Sequence, residues 1–181
     1  MTFLEHLEDR SFGIGMQGDG TYYYIDMQNE VITFPIWNLS GQMLGYQEYK
    51  WSKPKTHGNC PREQKYYTYL PKQTLGVYGL DQLPENYLGT IYLVEGVWEV
   101  IYGGVFGIPC AAVLGNNPKQ LRNWITSVPN RVVSLCQPDK AGKKLANLSK
   151  QPPIYLDGDL DDCLRNGGWW GVPDELIGCD E

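Results

Sequence analysis

The sequence predicts an α/β protein, with a parallel sheet flanked by helices in its second half and a mixed, mainly β segment before it. The second half contains short apolar runs, each followed by a turn: "TIYLVEG", "IPCAAVLG", "RVVSLCQ" and "PPIYLDG". Because these runs alternate with helix-like intervals, they are typical of parallel strands covered on both faces. The first half is instead rich in β-branched and aromatic residues, interrupted by Gly, Pro and Asn. We therefore predict two domains, 1–89 and 90–181.

The element boundaries follow from this change of pattern. In the first half we expect strands at 21–26, 30–37, 42–51 and 65–70. The segment Asn38-Leu-Ser-Gly41 is expected to be the turn of a hairpin, and 52–64, which lacks apolar periodicity, is expected to be a loop. In the second half we expect helices at 97–106, 118–128 and 140–150, with Asn117 as the N-cap of the second.

Composition and cysteine usage exclude several classes of protein. The 181 residues suffice for a hydrophobic core, and no apolar run reaches the roughly 18 residues of a membrane span. The first residues contain acids and no apolar stretch, so they are not a signal peptide. The five cysteines form no CxxC pair, and Cys110 and Cys136 lie in apolar runs, which favours buried free thiols. We therefore expect a cytoplasmic protein without a membrane partner.

The net charge of −6 is distributed unevenly. Residues 157–181 carry eight acids and one base, so the rest of the chain is nearly neutral, and we expect an acidic carboxyl-terminal tail. The basic segment, residues 50–72, contains six cations interleaved with tyrosines and Trp51: Lys50, Lys53, Lys55, Arg62, Lys65 and Lys72. This pattern favours single-stranded nucleic acid, whose bases stack on aromatic rings, although an ordinary solvated loop would have a similar composition.

Acidic side chains follow three of the predicted parallel strands. Glu95, Asp139 and the acids of 157–162 each come directly after an apolar run. Ligands of parallel sheets collect at the carboxyl ends of the strands, so these carboxylates should converge. Oxygen ligands of this kind suit Mg²⁺ or Mn²⁺, and neither of the two histidines lies in this half of the chain. Metal-assisted phosphoryl transfer is therefore the leading enzymatic hypothesis, while an N-cap role for Asp139 is the simpler alternative.

Four segments, in this order, resemble the successive motifs of the TOPRIM domain of bacterial and phage DNA primases. They are "LVEG" at 93–96, "AVLGNN" at 112–117, "VVSLCQPDKAGKKLA" at 132–146 and "YLDGDLDDCLRNGG" at 155–168. The preceding "VITFPIWNLSGQMLGYQEY", "KYYTYLP" and "GVYGLDQL" resemble the primase segment that meets the template. The resemblance implies a Rossmann-like TOPRIM sheet after a primase-type amino-terminal subdomain.

The resemblance also implies roles for individual residues. Glu95 matches the glutamate that serves in acid–base work and metal coordination, and Asp139 matches the second aspartate of the family's Asp-x-Asp pair. Asp159 and Asp161 fall in the motif that completes the Mg²⁺ site. Contacts with nucleic acid or with incoming ribonucleoside triphosphates are implied for the remaining matched positions: Lys65, Lys140, Gly142 and Lys143.

Two features differ from the family pattern. Gln137 stands where the first aspartate of the pair belongs, and the chain shows neither a zinc-ribbon nor a helicase motif. The resemblance therefore implies a phage-type primase core that makes RNA primers on single-stranded DNA during replication and works with a replicative helicase in the host cytoplasm. Because Gln137 brings no charge, a catalytically inactive nucleic-acid-binding or replisome-interaction module is the first alternative, and a TOPRIM nuclease is the second.

Overall fold

The computed structural model describes residues 1–10, 23–38, 40–72, 74–114, 118–149, 151–167 and 176. The chain forms two units, Met1–Thr74 and Leu75–Glu181. This division lies before the boundary predicted at residue 89, because residues 75–83 belong to the second unit. Val77 and Leu80 are buried in its core, and Tyr78 forms a bridge with Ala112. Asn117 and the acidic tail beyond residue 167 lie outside the described residues, apart from Leu176.

The first unit is an antiparallel sheet of four strands in the order β1-β2-β3-β4, with one helix, α1. Their bounds are α1 Phe3–Asp9, β1 Tyr24–Asp26, β2 Val31–Trp37, β3 Met43–Lys50 and β4 Tyr66–Tyr69. The hairpin predicted between β2 and β3 is present, since the N–H of Gly41 donates to the carbonyl of Asn38. The segment between β3 and β4 is an irregular loop with one short 3₁₀ turn, Pro61–Glu63.

This sheet has two chemically different faces. The inner face is apolar, with Ile32, Phe34 and Ile36 fully buried. Helix α1 contributes the buried His6, whose Nε2 lies 2.8 Å from the hydroxyl of Tyr49 on this face. Alternation along β3 and β4 places Tyr46, Glu48, Lys50, Tyr67 and Tyr69 on the opposite, outer face, because side chains point to alternate sides of a strand.

The second unit is a parallel sheet in the order β6-β5-β7-β8, flanked by helices. The strands are β5 Thr90–Val94, β6 Cys110–Ala112, β7 Arg131–Cys136 and β8 Ile154–Tyr155. The helices are α2 Val97–Val105, α3 Pro118–Ser127, α4 Lys140–Ala146 and α5 Leu160–Gly167. The predicted α/β class is confirmed, although α4 ends at Ala146 rather than continuing to residue 150. None of the helices in the described ranges is long and apolar enough to cross a membrane.

The parallel arrangement brings the carboxyl ends of β5, β7 and β8 to one edge of the sheet. Strands β5, β6 and β7 are largely buried, as their apolar runs predict, and Leu93, Ala111 and Val132 meet in one hydrophobic core. Strand β8 is less covered than its run predicts, since Tyr155 is 52% exposed. Cys110 and Cys136 are buried free thiols, as predicted. The edge at which the strands end therefore positions the acidic residues that follow them.

Candidate active site

Glu95 follows β5 directly and presents an exposed side chain at the edge of the sheet. Its backbone is fixed by the carboxylate of Glu99, whose Oε2 accepts hydrogen bonds from the N–H groups of Glu95 at 3.0 Å and Gly96 at 2.9 Å. Glu99 thereby supplies the N3 half of a capping box at the start of α2, because it satisfies backbone donors that a helix start leaves unpaired, while the N-cap Gly96 has no side chain to return the bond. Glu95 is thus held by its main chain, while its carboxylate faces solvent.

Glu99 is a site residue that sequence reasoning missed. It is only 7% exposed, and it also accepts a hydrogen bond from the backbone of Leu160, at the start of α5. One carboxyl group therefore links the end of β5 with the start of α5. The signal was present in "EGVWE", where a glutamate three residues after a possible N-cap is the second half of the capping-box signature.

Glu99 should make the stability of the protein fall as the pH rises. Burial raises the pKa of Glu99 to about 8, the bonds from Gly96 and Leu160 lower it, and the charges of Asp159 and Asp161 raise it. The native state therefore binds more protons than the unfolded chain between the usual pKa of 4.5 and about 8. Across that window the free energy of unfolding should decrease by on the order of 5 kcal/mol.

Urea denaturation at a series of pH values measures this effect. Glu99→Gln removes the titrating group but keeps an oxygen that can accept the two N–H bonds. The variant should show a flatter profile between pH 4.5 and 8. A parent profile as flat as that of the variant would show that Glu99 is not protonated preferentially in the native state.

Asp139 follows the end of β7 and is the N-cap of α4. Its Oδ1 accepts a hydrogen bond from the N–H of Gly142 at 2.7 Å, so the N-cap interpretation of this residue holds. Gly142 is buried directly against the backbone of Gln137: a Cβ built on it would lie 2.0 Å from the carbonyl oxygen of Gln137. The glycine therefore permits α4 to start close beneath the strand end and brings Asp139 to the same edge as Glu95.

The acidic turn, residues 157–159, follows β8 and leads into α5. Asp159 is exposed and accepts a hydrogen bond from Nε2 of Gln137, the residue that follows β7, with a donor–acceptor distance of 2.5 Å. Asp161 is different: it lies in the first turn of α5, is 4% exposed, and interacts electrostatically with Glu99. The structure thus groups Asp159 with the strand ends and buries Asp161 beside Glu99.

Asp139 and Asp159 lie close enough to Glu95 at this edge to affect it electrostatically. The pKa of Glu95 is raised by partial burial, then by the negative charges of Asp139 and Asp159. Their oxygen chemistry fits Mg²⁺, which prefers carboxylates and retains several waters. Within the described residues, however, no three acidic, histidine or cysteine side chains are arranged to hold one ion. The residues that could bind Mg²⁺ are therefore Glu95, Asp139 and Asp159, without a fully preformed cage.

The cations of the basic segment do not form one surface. On the outer face, the ring of Tyr67 lies between two cations, with the Lys50 ammonium 5.4 Å and the Arg62 guanidinium 5.5 Å from its centroid. Beside them, the rings of Tyr46 and Tyr69 stack with centroids 5.5 Å apart, and Tyr69 is 45% exposed. This outer platform, defined by Lys50, Arg62, Tyr46, Tyr67 and Tyr69, combines cations with accessible aromatic rings.

The other predicted nucleic-acid residues of this unit lie elsewhere. The Lys65 ammonium lies over the rings of Tyr49 and Trp51, at 5.6 and 5.3 Å, and its pKa is lowered by burial and by Arg10 and Lys55. Lys53 forms an ion pair with Glu63 at 2.5 Å, which offsets its charge. Lys55 is exposed.

The two lysines predicted to approach nucleotide in the second unit lie on α4. Lys140 is its first residue and Lys143 is one turn further along, and both are exposed. Because Asp139 caps the same helix, both cations belong to the element that starts at the acidic edge. The structure therefore associates positive charge with the carboxylates that could bind a metal.

No protein-family model matches the chain, and no curated protein matches it either. Solved structures do match. The chain aligns with the E. coli primase catalytic core with a TM-score of 0.61 and 19% identity, covering 82% of this chain and 52% of that one. For the Aquifex aeolicus primase, solved with its zinc-binding and RNA polymerase domains, the TM-score is 0.61 at 20% identity, covering 82% of this chain and 40% of that one. With a DnaG primase catalytic domain bound to single-stranded DNA, the TM-score is 0.55 at 18% identity, and the alignment covers 91% of this chain and 56% of that one.

The chain contains an antiparallel sheet and, further along the sequence, a parallel α/β sheet, the two kinds of sheet found in catalytic cores of DNA primases. Specifically, it has the fold of the DnaG-type primase catalytic core, which confirms the fold expected from the resemblance to TOPRIM primases. It spans about half the length of these structures, since it covers 52%, 40% and 56% of them.

Proposed function

We propose that this protein is a primase-like nucleotidyltransferase that binds single-stranded DNA and makes RNA primers in a Mg²⁺-dependent reaction during replication, as phage-type primases do. The observation that supports this proposal most is the meeting of Glu95, Asp139 and Asp159 at the carboxyl edge of the parallel sheet, on a primase core fold. The partners would be template DNA, ribonucleoside triphosphates and a replicative helicase.

The proposed chemistry joins the 3′-hydroxyl of one ribonucleotide to the α-phosphate of the next, with release of pyrophosphate. Bound Mg²⁺ would neutralise the charge that develops on the phosphate oxygens. Glu95 is suited to accept the hydroxyl proton, because its raised pKa lies closer to neutrality than that of an ordinary glutamate. Lys140 and Lys143 would attract the triphosphate, and Asp139 would ligate the ion while capping α4.

A second candidate function is a catalytically inactive nucleic-acid-binding module. The observation that favours it is the hydrogen bond from Gln137 to Asp159, which engages a carboxylate that an active metal site would use. Primer synthesis on mixed-sequence single-stranded DNA, with all four ribonucleotides and with or without Mg²⁺, separates the two functions. Labelled oligoribonucleotides that require Mg²⁺ support the primase. DNA binding without any product supports the module.

The outer platform should provide much of the affinity for single-stranded DNA. Lys50 is already paired with Glu48 at 2.8 Å, so Arg62 is the cation of the platform with charge available for phosphate. Replacing Arg62 by Gln should reduce the slope of log affinity against log salt by about 0.7, since each phosphate contact contributes roughly that much for single strands. Tyr69→Ala should weaken binding by about 1–3 kcal/mol without changing the slope, because stacking is not a charge effect. Fluorescence anisotropy with an oligothymidine at several salt concentrations measures both quantities.

Matched variants test whether these effects are specific. Tyr24 is 66% exposed on β1, at the other edge of the same sheet, so Tyr24→Ala should leave the affinity unchanged. Lys53→Gln should change the slope little, because Glu63 already neutralises Lys53. Equal losses from the Tyr24 and Tyr69 variants, or an unaltered slope in the Arg62 variant, would remove the outer platform as a DNA surface.

A further inference from the structure

Gln137 makes a contact that its position in the sequence does not suggest. It follows β7, and its side-chain amide reaches Asp159, 22 residues further along the chain, with Nε2 2.5 Å from Oδ1. Gln137 is half-buried, whereas Asp159 is exposed. A hydrogen bond to a charged acceptor is stronger than one between neutral groups, so this contact can hold an exposed segment in place.

The two partners differ in how firmly the backbone holds them. The backbone of Gln137 is packed against Gly142, where even a single Cβ would overlap the Gln137 carbonyl oxygen. The acidic turn instead follows β8, which has only two residues, paired with Leu135 and Cys136 of β7. One further hydrogen bond joins this region to β7, from the N–H of Leu156 to the carbonyl of Cys136. Gln137 is therefore firmly held. The acidic turn is anchored at its far end, where the buried Leu160 donates its N–H to Glu99 and the Asp159 carbonyl accepts from the N–H of Cys163, so the Gln137 amide fixes the side of the turn that meets β7.

The acidic turn also meets like charge. Asp159 interacts unfavourably with Glu95 and lies at the edge where Asp139 adds a third negative charge. Carboxylates brought together in this way repel one another, and a cation or a hydrogen-bond donor between them relieves the repulsion. A carboxylate at position 137 would require a cation, because it can only accept hydrogen bonds when ionised, whereas the glutamine amide donates one.

We propose that Gln137 is a positioning residue whose amide takes the place of a divalent cation, holding the acidic turn at the end of β7 in the absence of metal. This inference deepens the proposed function, on which its relevance to nucleotide transfer rests. It makes the folding of the acidic edge independent of Mg²⁺. It also reduces the negative charge available to a second ion, so the site is suited to one divalent cation.

Hydrogen exchange of the amides of residues 154–163 tests the proposal without an assay of activity. Gln137→Glu keeps the size of the side chain and replaces the donor by a charge that repels Asp159. Gln137→Met keeps a similar volume and has neither donor nor charge. In EDTA, exchange in this segment should be about tenfold faster or more in both variants than in the parent, since the charged hydrogen bond is lost.

Mg²⁺ and a second substitution distinguish the causes. Millimolar Mg²⁺ should restore slow exchange in Gln137→Glu, because the ion can bridge the two carboxylates, and should leave Gln137→Met fast. The double variant Gln137→Glu with Asp159→Asn exchanges donor and acceptor, so it should be slow in EDTA. If Gln137→Met is as protected as the parent, or if the double variant stays as fast as Gln137→Glu in EDTA, the amide does not hold the turn.

These outcomes are separate from those of the primer assay. If the parent makes no primers but the variants show the predicted exchange pattern, the role of Gln137 is supported and only the proposed enzymatic function is contradicted. If the parent makes primers while all variants exchange alike, the proposed function is supported and the role of Gln137 is contradicted. A melting temperature equal to that of the parent would show that a change in exchange is local to residues 154–163 and does not reflect lower global stability.

Discussion

Replacing Gly142 by alanine should destabilise the second unit by about 3 kcal/mol, one of the largest effects of a single methyl group in this protein. The added Cβ would lie 2.0 Å from the Gln137 carbonyl oxygen and within 2.9 Å of two further Gln137 backbone atoms. All three contacts are with main chain, so no side chain can rotate away to relieve them. Helix α4 must move away from β7, which also moves the cap that Asp139 provides.

Gly104→Ala is the matched control. Gly104 lies in helix α2, is exposed, and has no atom within 4 Å of an added Cβ. There the substitution should stabilise the protein by roughly 0.5–1 kcal/mol, because alanine loses less backbone entropy in a helix than glycine does. Urea denaturation of the two variants measures both effects. Similar stabilities for the Gly142 and Gly104 variants would show that α4 does not approach β7 as closely as described.

Glu95→Gln should reduce primer synthesis by at least about a hundredfold, because it removes the proposed base and one metal ligand in a single change. The fold should be unaffected, since the contact that holds this residue uses its backbone N–H, which donates to Glu99. The measurement is the yield of labelled oligoribonucleotide at matched Mg²⁺ concentration and matched DNA binding.

Asp139→Asn separates metal binding from helix capping at the same edge. Asparagine caps helices about as well as aspartate, so α4 should keep its start while the site loses one charge. Mg²⁺ affinity by calorimetric titration should fall, and primer yield should fall with it. Asp157→Asn removes an exposed charge from the acidic turn and should change both quantities little. For the Glu95→Gln variant described above, primer synthesis equal to that of the parent would exclude Glu95 as the base. If neither protein makes primers while both bind DNA, the binding module is favoured.

Local sequence patterns identified much of this fold. The apolar runs before Glu95 and Gln137 predicted buried parallel strands, because a strand covered on both faces has apolar residues at nearly every position. Their turns placed Glu95, Asp139 and Asp159 at one edge, since parallel strands end on the same side of a sheet. The limits of β2, β3 and β4 differ by one residue from those predicted, whereas β1, predicted at 21–26, is observed at Tyr24–Asp26.

Long-range packing was less accessible from sequence. The Gln137–Asp159 hydrogen bond joins residues whose proximity depends on how β8 pairs with β7, which no local pattern specifies. The burial of Asp161 depends on how α5 packs against α2, and the split of the basic segment depends on which way Lys65 turns after an irregular loop. Charge spacing along a loop indicates a partner, but it does not determine which side of a sheet each cation reaches.

The bridge between Tyr78 and Ala112 bears on any attempt to dissect this protein by recombinant expression. Two backbone hydrogen bonds, 3.0 and 2.9 Å long, cover strand β6, and Val77 and Leu80 fill the core behind it. A fragment beginning at residue 90 would leave β6 as an exposed edge strand beside uncovered apolar side chains, and such an edge promotes aggregation. A fragment that begins at Leu75 keeps the segment that covers this edge. The fifteen or so residues before Thr90, although they resemble a connection, are an integral part of the module that follows them.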